Sequence, residues 1–229
     1  MRGSREKARR CAYCGAAGKL TKDHVPPKCI FPEPRPTNLI TVPACGKCHS
    51  PQTSLDDEYF RLALVVRDDL SNHPDVAKTQ PDVMRKLFMP SKTGMLEGFL
   101  KNVRPIELAT PGGLFIKRSL GLQTDMVRLR RVVQRVLKGL FYHVKGYRLP
   151  DRYEALVLTD ESIEKWPKEL VGPVLANRSI TLGNGVFSYR AAFHKDNPDV
   201  SGWIFVFYER ASFLGMTLRA GESGVAAAA

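Results

Sequence analysis

The residues of this chain that could do chemistry crowd between Cys11 and His49. Two C-x-x-C pairs, Cys11/Cys14 and Cys45/Cys48, are separated by 30 residues. Between them lie Asp23-His24 and Asn38, and His49 directly follows the last cysteine. Thiolates hold zinc tetrahedrally, and a C-x-x-C turn points both of its sulfurs at one ion. The pairs therefore predict a closed, structural zinc site on Cys11, Cys14, Cys45 and Cys48. A redox role fits poorly, because two pairs occur and no thioredoxin-like pattern surrounds them. Cys29 is left over as a packed or spare thiol. Asp23, His24, Asn38 and His49 exceed what a zinc turn needs. Taken singly, each also has an ordinary reading: a surface polar pair, a turn residue, a zinc-shell donor.

These residues must be positioned by short elements. Cys11–Cys14 reads as a tight turn, with Gly15 supplying backbone freedom. Leu20–His24 reads as a strand, which would send Asp23 and His24 to opposite sides unless its end bends. Five prolines in the thirteen residues from Val25 to Thr37 exclude regular helix and stiffen the loop. Leu39–Val42 is apolar and β-branched, a second strand. Ser54-Leu55-Asp56-Asp57 has the form of a capping box, and apolar residues at helical spacing continue to about Leu70. Two strands and a helical turn pinned by zinc would bring Asp23, His24 and His49 together.

With its contexts C-x-Y-C-G, L-T-x-D-H-V-x-P, N-L and C-x-x-C-H, the stretch resembles the HNH endonucleases, over about residues 10–60. Their ββα-metal core is named for a His, an Asn and a His, which fall here on His24, Asn38 and His49. The resemblance implies His24 as general base, Asp23 and His49 as ligands of one divalent cation (Mg²⁺, or Mn²⁺ and other ions), and Asn38 as the residue that orients His24 through the backbone. It implies hydrolysis of DNA to 5′-phosphate and 3′-hydroxyl ends. By analogy only, it implies a bacterial or phage setting in restriction, defence or mobile elements. Two departures stand out. The Asn38–His49 segment is about two residues longer than the common form. Thr53 occupies a position where many members carry a further His, Asn or Lys, which leaves two protein ligands and brings Asp57 or Glu58 into view as outer-shell groups. The rival reading is a non-catalytic zinc module that binds nucleic acid or protein.

The remainder of the chain predicts an α+β protein: this N-terminal module, then helices, then a mixed or antiparallel β region. Residues 1–10 form a basic arm and 11–71 the module with its helix. Residues 72–150 are helical with a hairpin, 151–220 are strand-rich, and 221–229 form a small, polar tail. A composition shift near Leu149-Pro150 suggests a subdomain edge. Residues 75–100 look helical in pieces broken by Pro81, Pro90 and Gly94. Val103–Ala109 and Leu114–Leu120 flank Pro111-Gly112-Gly113 as a hairpin. Thr124–Tyr142 is the strongest helix, with an apolar stripe and a separate basic one, Arg128, Arg131, Arg135 and Lys138. That second stripe is either a solvated face or a track for a phosphate backbone. Strands are expected at Ala155–Leu158, Val186–His194, Trp203–Tyr208 and Phe213–Leu218.

Of the 229 residues, 43% are hydrophobic and 25% charged, which is ordinary for a globular chain. The net charge of +12 favours a polyanionic partner, nucleic acid before an anionic membrane surface. DNA is the expected partner, RNA remains open, and a protein could direct cleavage. No apolar run is long enough to span a membrane, and no apolar stretch follows the basic N-terminus, so a cytoplasmic protein is expected.

Overall fold

The computed structural model describes residues 10–110, 112–159 and 168–221. The arm expected at residues 1–10 and the tail expected at 221–229 lie outside them, except for Arg10 and Gly221. The described chain is a mixed α+β structure with antiparallel sheets. No helix in it is long and apolar enough to cross a membrane.

The first elements are β1 (Leu20–His24), β2 (Thr41–Cys45) and α1 (Pro51–Val65). The two strands pair antiparallel, with Leu20 opposite Cys45 and His24 opposite Thr41. The expected second strand is thus displaced two residues toward the cysteines, which carries Cys45 to the strand end. The helix start is also corrected. Ser50, not Ser54, is the N-cap, in a reciprocal box with Thr53. Pro51 takes the first helical position, where its missing N–H costs nothing. This frees Asp56 and Asp57 from capping and places them one turn further along the helix. The helix ends at Val65, and the chain reaches Leu70 through a single 3₁₀ turn.

Next come α2 (Pro74–Leu87) and α3 (Thr93–Lys101). They lead into the hairpin β3 (Val103–Ala109) and β4 (Phe115–Leu122). Helix α4 (Met126–Lys145) follows, capped by the Asp125 carboxylate at one end and by left-handed Gly146 at the other. Its apolar stripe, including Leu129, Val133, Val136, Leu137 and Leu140, is buried. The helix lies between α1 and a five-stranded sheet of β5 (Tyr153–Thr159), β6 (Ile180–Leu182), β7 (Phe187–Phe193), β8 (Ser201–Phe207) and β9 (Ala211–Arg219). Strand order is β5-β9-β8-β7-β6.

Alternation along β8 explains how that sheet is covered. Trp203, Phe205 and Phe207 join the main core, whereas Ile204 meets Val171 and Val174 of α5 (Lys168–Leu175) on the opposite face. Both β6 and α5 escaped the sequence reading; one has only three residues, and the other carries Pro173 inside it. Gly215 marks the closest approach of α4, since a Cβ there would sit 2.6 Å from Leu137. The composition shift at Leu149-Pro150 does not divide the core. A single cluster runs from Ala12, Val25 and Val42 through Phe60 and Leu137 to Phe205 and Phe213.

Candidate functional site

The two C-x-x-C turns meet at the open end of the β1–β2 pair. Cys11 and Cys14 precede β1, and Gly15, at φ +75°, releases the chain from the first turn. The Cys48 and His49 N–H groups both donate to the Cys45 carbonyl, at 3.0 and 2.9 Å, which forms the second turn. The four sulfurs lie within 4.8 Å of one another, and Cys14 and Cys45 Sγ are 3.6 Å apart. Tetrahedral zinc with bonds of about 2.3 Å needs sulfurs about 3.8 Å apart. The cluster therefore fits a metal ion such as zinc. The Cys48 N–H draws the Cys45 thiol down to about 6, whereas burial pushes Cys48 up, so these two thiols do not ionise alike without a cation. Cys29 stands apart. Burial pushes its thiol up to about 12, as expected of an inert, packed cysteine.

A second site opens beside this cluster. Asp23, His24 and His49 line one cleft of about 220 Å³, with Lys22, Lys28, Ser54, Asp57 and Glu58 on its walls. Consecutive strand residues both reach it because β1 ends at His24. The orientation of His49 follows from its neighbours. Thr21 Oγ1 donates to the Ala44 carbonyl at 3.3 Å and lies 3.0 Å from His49 Nδ1. His49 Nε2 faces Asp23 Oδ1 at 4.0 Å. A metal at Nε2 would require Nδ1 to carry the ring proton and donate it to the Thr21 hydroxyl. Two ligands of one cation with bonds of about 2.1 Å can be no more than about 4.2 Å apart. The pair thus fits a shared divalent ion.

Asp23 itself is 5% exposed and is held by groups from outside the strand pair. Tyr13 Oη donates to its Oδ2 at 2.7 Å, and Arg135 Nε of α4 lies 3.6 Å from the same oxygen. Arg135 also pairs with Asp57 of α1. Burial nevertheless pushes the Asp57 carboxyl up to about 6, against the pull of that guanidinium. His24 is half-buried. Desolvation, aided by the Lys28 cation, lowers its pKa and keeps the imidazole neutral near pH 7.

Two expectations need correction. Asn38 sits exposed in the turn before β2, and among the described residues its side chain makes no hydrogen bond. The link expected of it is made by backbone instead, from Val25 N–H to the Ile40 carbonyl at 2.9 Å. Most of the basic stripe of α4 is engaged by carboxylates, although Arg131 stays half exposed. Arg128 and Arg131 Nε each donate to Asp56 at 2.9 Å, and Arg128 also stacks over Tyr59. Arg135 pairs with Asp23 and Asp57. Only Lys138 has no carboxylate partner among the described residues. The stripe is a clamp that docks α1 on α4, satisfying a carboxylate that is 4% exposed.

Sequence reasoning missed Tyr13 and Thr21 as supports and misread Arg135. Tyr13 was visible in the C-x-Y-C-G context. Nothing in the i, i+3, i+7 spacing set Arg135 apart from its neighbours. Comparison of the chain with protein-family models, with curated proteins and with solved structures gave no match, so the reading of this site rests on its own residues.

Proposed function

We propose that the chain is a metal-dependent DNA endonuclease of the HNH type, with a zinc-stabilised ββα core. One observation carries this reading. His49 Nε2 and Asp23 Oδ1 face each other at 4.0 Å in the cleft that His24 also lines, beside a four-sulfur cluster. Asp23 and His49 would hold a divalent cation, Mg²⁺ first among candidates, which would supply positive charge for the negative charge that builds in the transition state. His24 takes a proton from the attacking water as its oxygen bonds to phosphorus. The P–O3′ bond breaks and the departing oxygen takes a proton from solvent, leaving a 5′-phosphate and a 3′-hydroxyl. Lys22 and Lys28 at the cleft mouth attract the phosphate backbone. Tyr13 and Arg135 act through Asp23 as positioning residues. Asn38 carries no role in this scheme.

Supercoiled plasmid incubated with the protein and Mg²⁺ or Mn²⁺ tests the reading. Wild type should nick or linearise it. His24→Ala should do so at least about 100-fold more slowly while remaining folded. Plasmid left intact across metals and salt concentrations, or cut equally by His24→Ala, would leave the non-catalytic zinc module as the surviving description.

A further inference from the structure

Among the described residues, the β3–β4 hairpin gathers several large apolar side chains that no part of the core covers. No residue of either strand is buried, and none joins the core. Leu114, Phe115, Ile116 and Leu120 are 72%, 55%, 58% and 73% exposed. An isolated two-stranded ribbon of this kind is marginal in water, and its apolar surface exceeds what solubility favours. Yet its base is firmly anchored. Gln123 N–H donates to the Asn102 carbonyl at 2.8 Å, and Asp125 then caps α4 while its own N–H donates to Tyr59 Oη at 2.7 Å.

The charges of this segment identify what would cover it. Residues 101–123 carry Lys101, Arg104, Lys117 and Arg118 against Glu107 alone. Glu107 is taken by Arg118 at 3.2 Å. Lys101 at the base and Lys117 near the tip are exposed and have no carboxylate partner among the described residues. The seven-residue β3 separates them by roughly 23 Å at strand rise. A second copy of the chain would set these cations against each other. An anionic membrane would favour cations gathered around the apolar tip instead of spread along the ribbon. Duplex DNA offers a rail of phosphates, and its major groove, about 12 Å wide, admits a two-stranded ribbon.

We propose that the β3–β4 ribbon is a duplex-DNA-binding arm. Lys101 and Lys117 meet phosphates, and the exposed apolar tip formed by Leu114, Phe115 and Ile116 enters the major groove end-on, because successive strand side chains face opposite sides of the ribbon. The choice of duplex rests on the nuclease reading, but binding can be measured apart from cleavage.

The test uses full-length His24→Ala protein without divalent cation, titrated onto a fluorescent B-form DNA duplex by anisotropy. Leu114→Ser/Phe115→Ser/Ile116→Ser should weaken binding at least tenfold. Lys101→Ala/Lys117→Ala should reduce the slope of log affinity against log salt by about 1.8, two phosphate contacts' worth. An RNA duplex of equal length, whose major groove is deep and narrow, should bind more weakly than the DNA. Unchanged affinity and slope would overturn the arm, and equal binding of RNA would overturn its groove. Wild type that is dimeric by light scattering, with the tip variant monomeric, would assign the ribbon to self-association. Tip-dependent binding to phosphatidylglycerol vesicles but not to DNA would assign it to a membrane. Plasmid cleavage with tip-independent binding would sink the arm and spare the nuclease. Tip-dependent binding by a protein that never cuts would do the reverse.

Discussion

The four-sulfur cluster and the Asp23–His49 cleft come from the same stretch of chain, yet they are held in different ways. The cluster is local. Its two turns close on their own backbone N–H groups, and its four ligands are identical and near one another. The cleft is not local. Its central carboxylate leans on Tyr13 from the first turn and on Arg135 from a helix more than 100 residues away in sequence. A closed site can be specified by four ligands and two turns, whereas an open one needs outside groups to hold its donors in place without filling the position where substrate must come.

The largest effect should come from Cys45→Ser. It should abolish zinc in the purified protein, measured by elemental analysis, and remove cooperative thermal unfolding of the module. It should disable the cleft as well, because Cys45 ends the strand that pairs with β1. A metal-free, stably folded Cys45→Ser protein would break the comparison at its first term.

Arg135→Met should separate the two sites. It leaves the buried Asp23 and Asp57 carboxyl groups without their guanidinium partner, at a cost of about 3 kcal/mol in chemical denaturation. Cleavage should fall while zinc stays bound at full stoichiometry. Loss of zinc together with activity would show that cluster and cleft are one cooperative unit.

Thr21→Val is a narrower probe. Removing the hydroxyl frees His49 Nδ1 and its tautomer, so the Mg²⁺ or Mn²⁺ concentration needed for half-maximal cleavage should rise 10- to 100-fold. The zinc content and melting temperature should stay near wild type. An unchanged metal requirement would remove Thr21 from the account of His49.

The smallest expected effect concerns pH. His24 is desolvated and faces the Lys28 cation, so its proton leaves below the usual histidine value. The neutral base then persists as pH falls, and the acid limb of cleavage should lie below about pH 6.5. Lys28→Ala should move that limb upward by a fraction of a pH unit. A limb that stays in place would give desolvation alone the credit.

How much of this was legible in the sequence differs by residue. The two cysteine turns could be read because C-x-x-C spacing is itself the geometry of the turn. The helix of the apolar stripe could be read because its period matches the buried face. The start of α1 was misplaced because Ser50-Pro51-Gln52-Thr53 and Ser54-Leu55-Asp56-Asp57 both offer a capping residue. The proline at the first helical position selected the former, and Asp56 and Asp57 became partners for arginines instead.

The chain order alone determined that four sulfurs would converge and that Asp23, His24 and His49 would flank them, because those relations span short segments with strong local preferences. Only the tertiary structure decided that Asn38 stands aside, that Arg128 and Arg131 clamp Asp56, and that Arg135 pairs with Asp23 and Asp57. Each depends on which face of α4 meets α1. That docking is set by burial of the apolar stripe against the sheet, with Gly139 passing so close that a Cβ there would lie 2.6 Å from Val25. Local spacing places a charge on a helix face, and packing chooses the opposite charge that it meets.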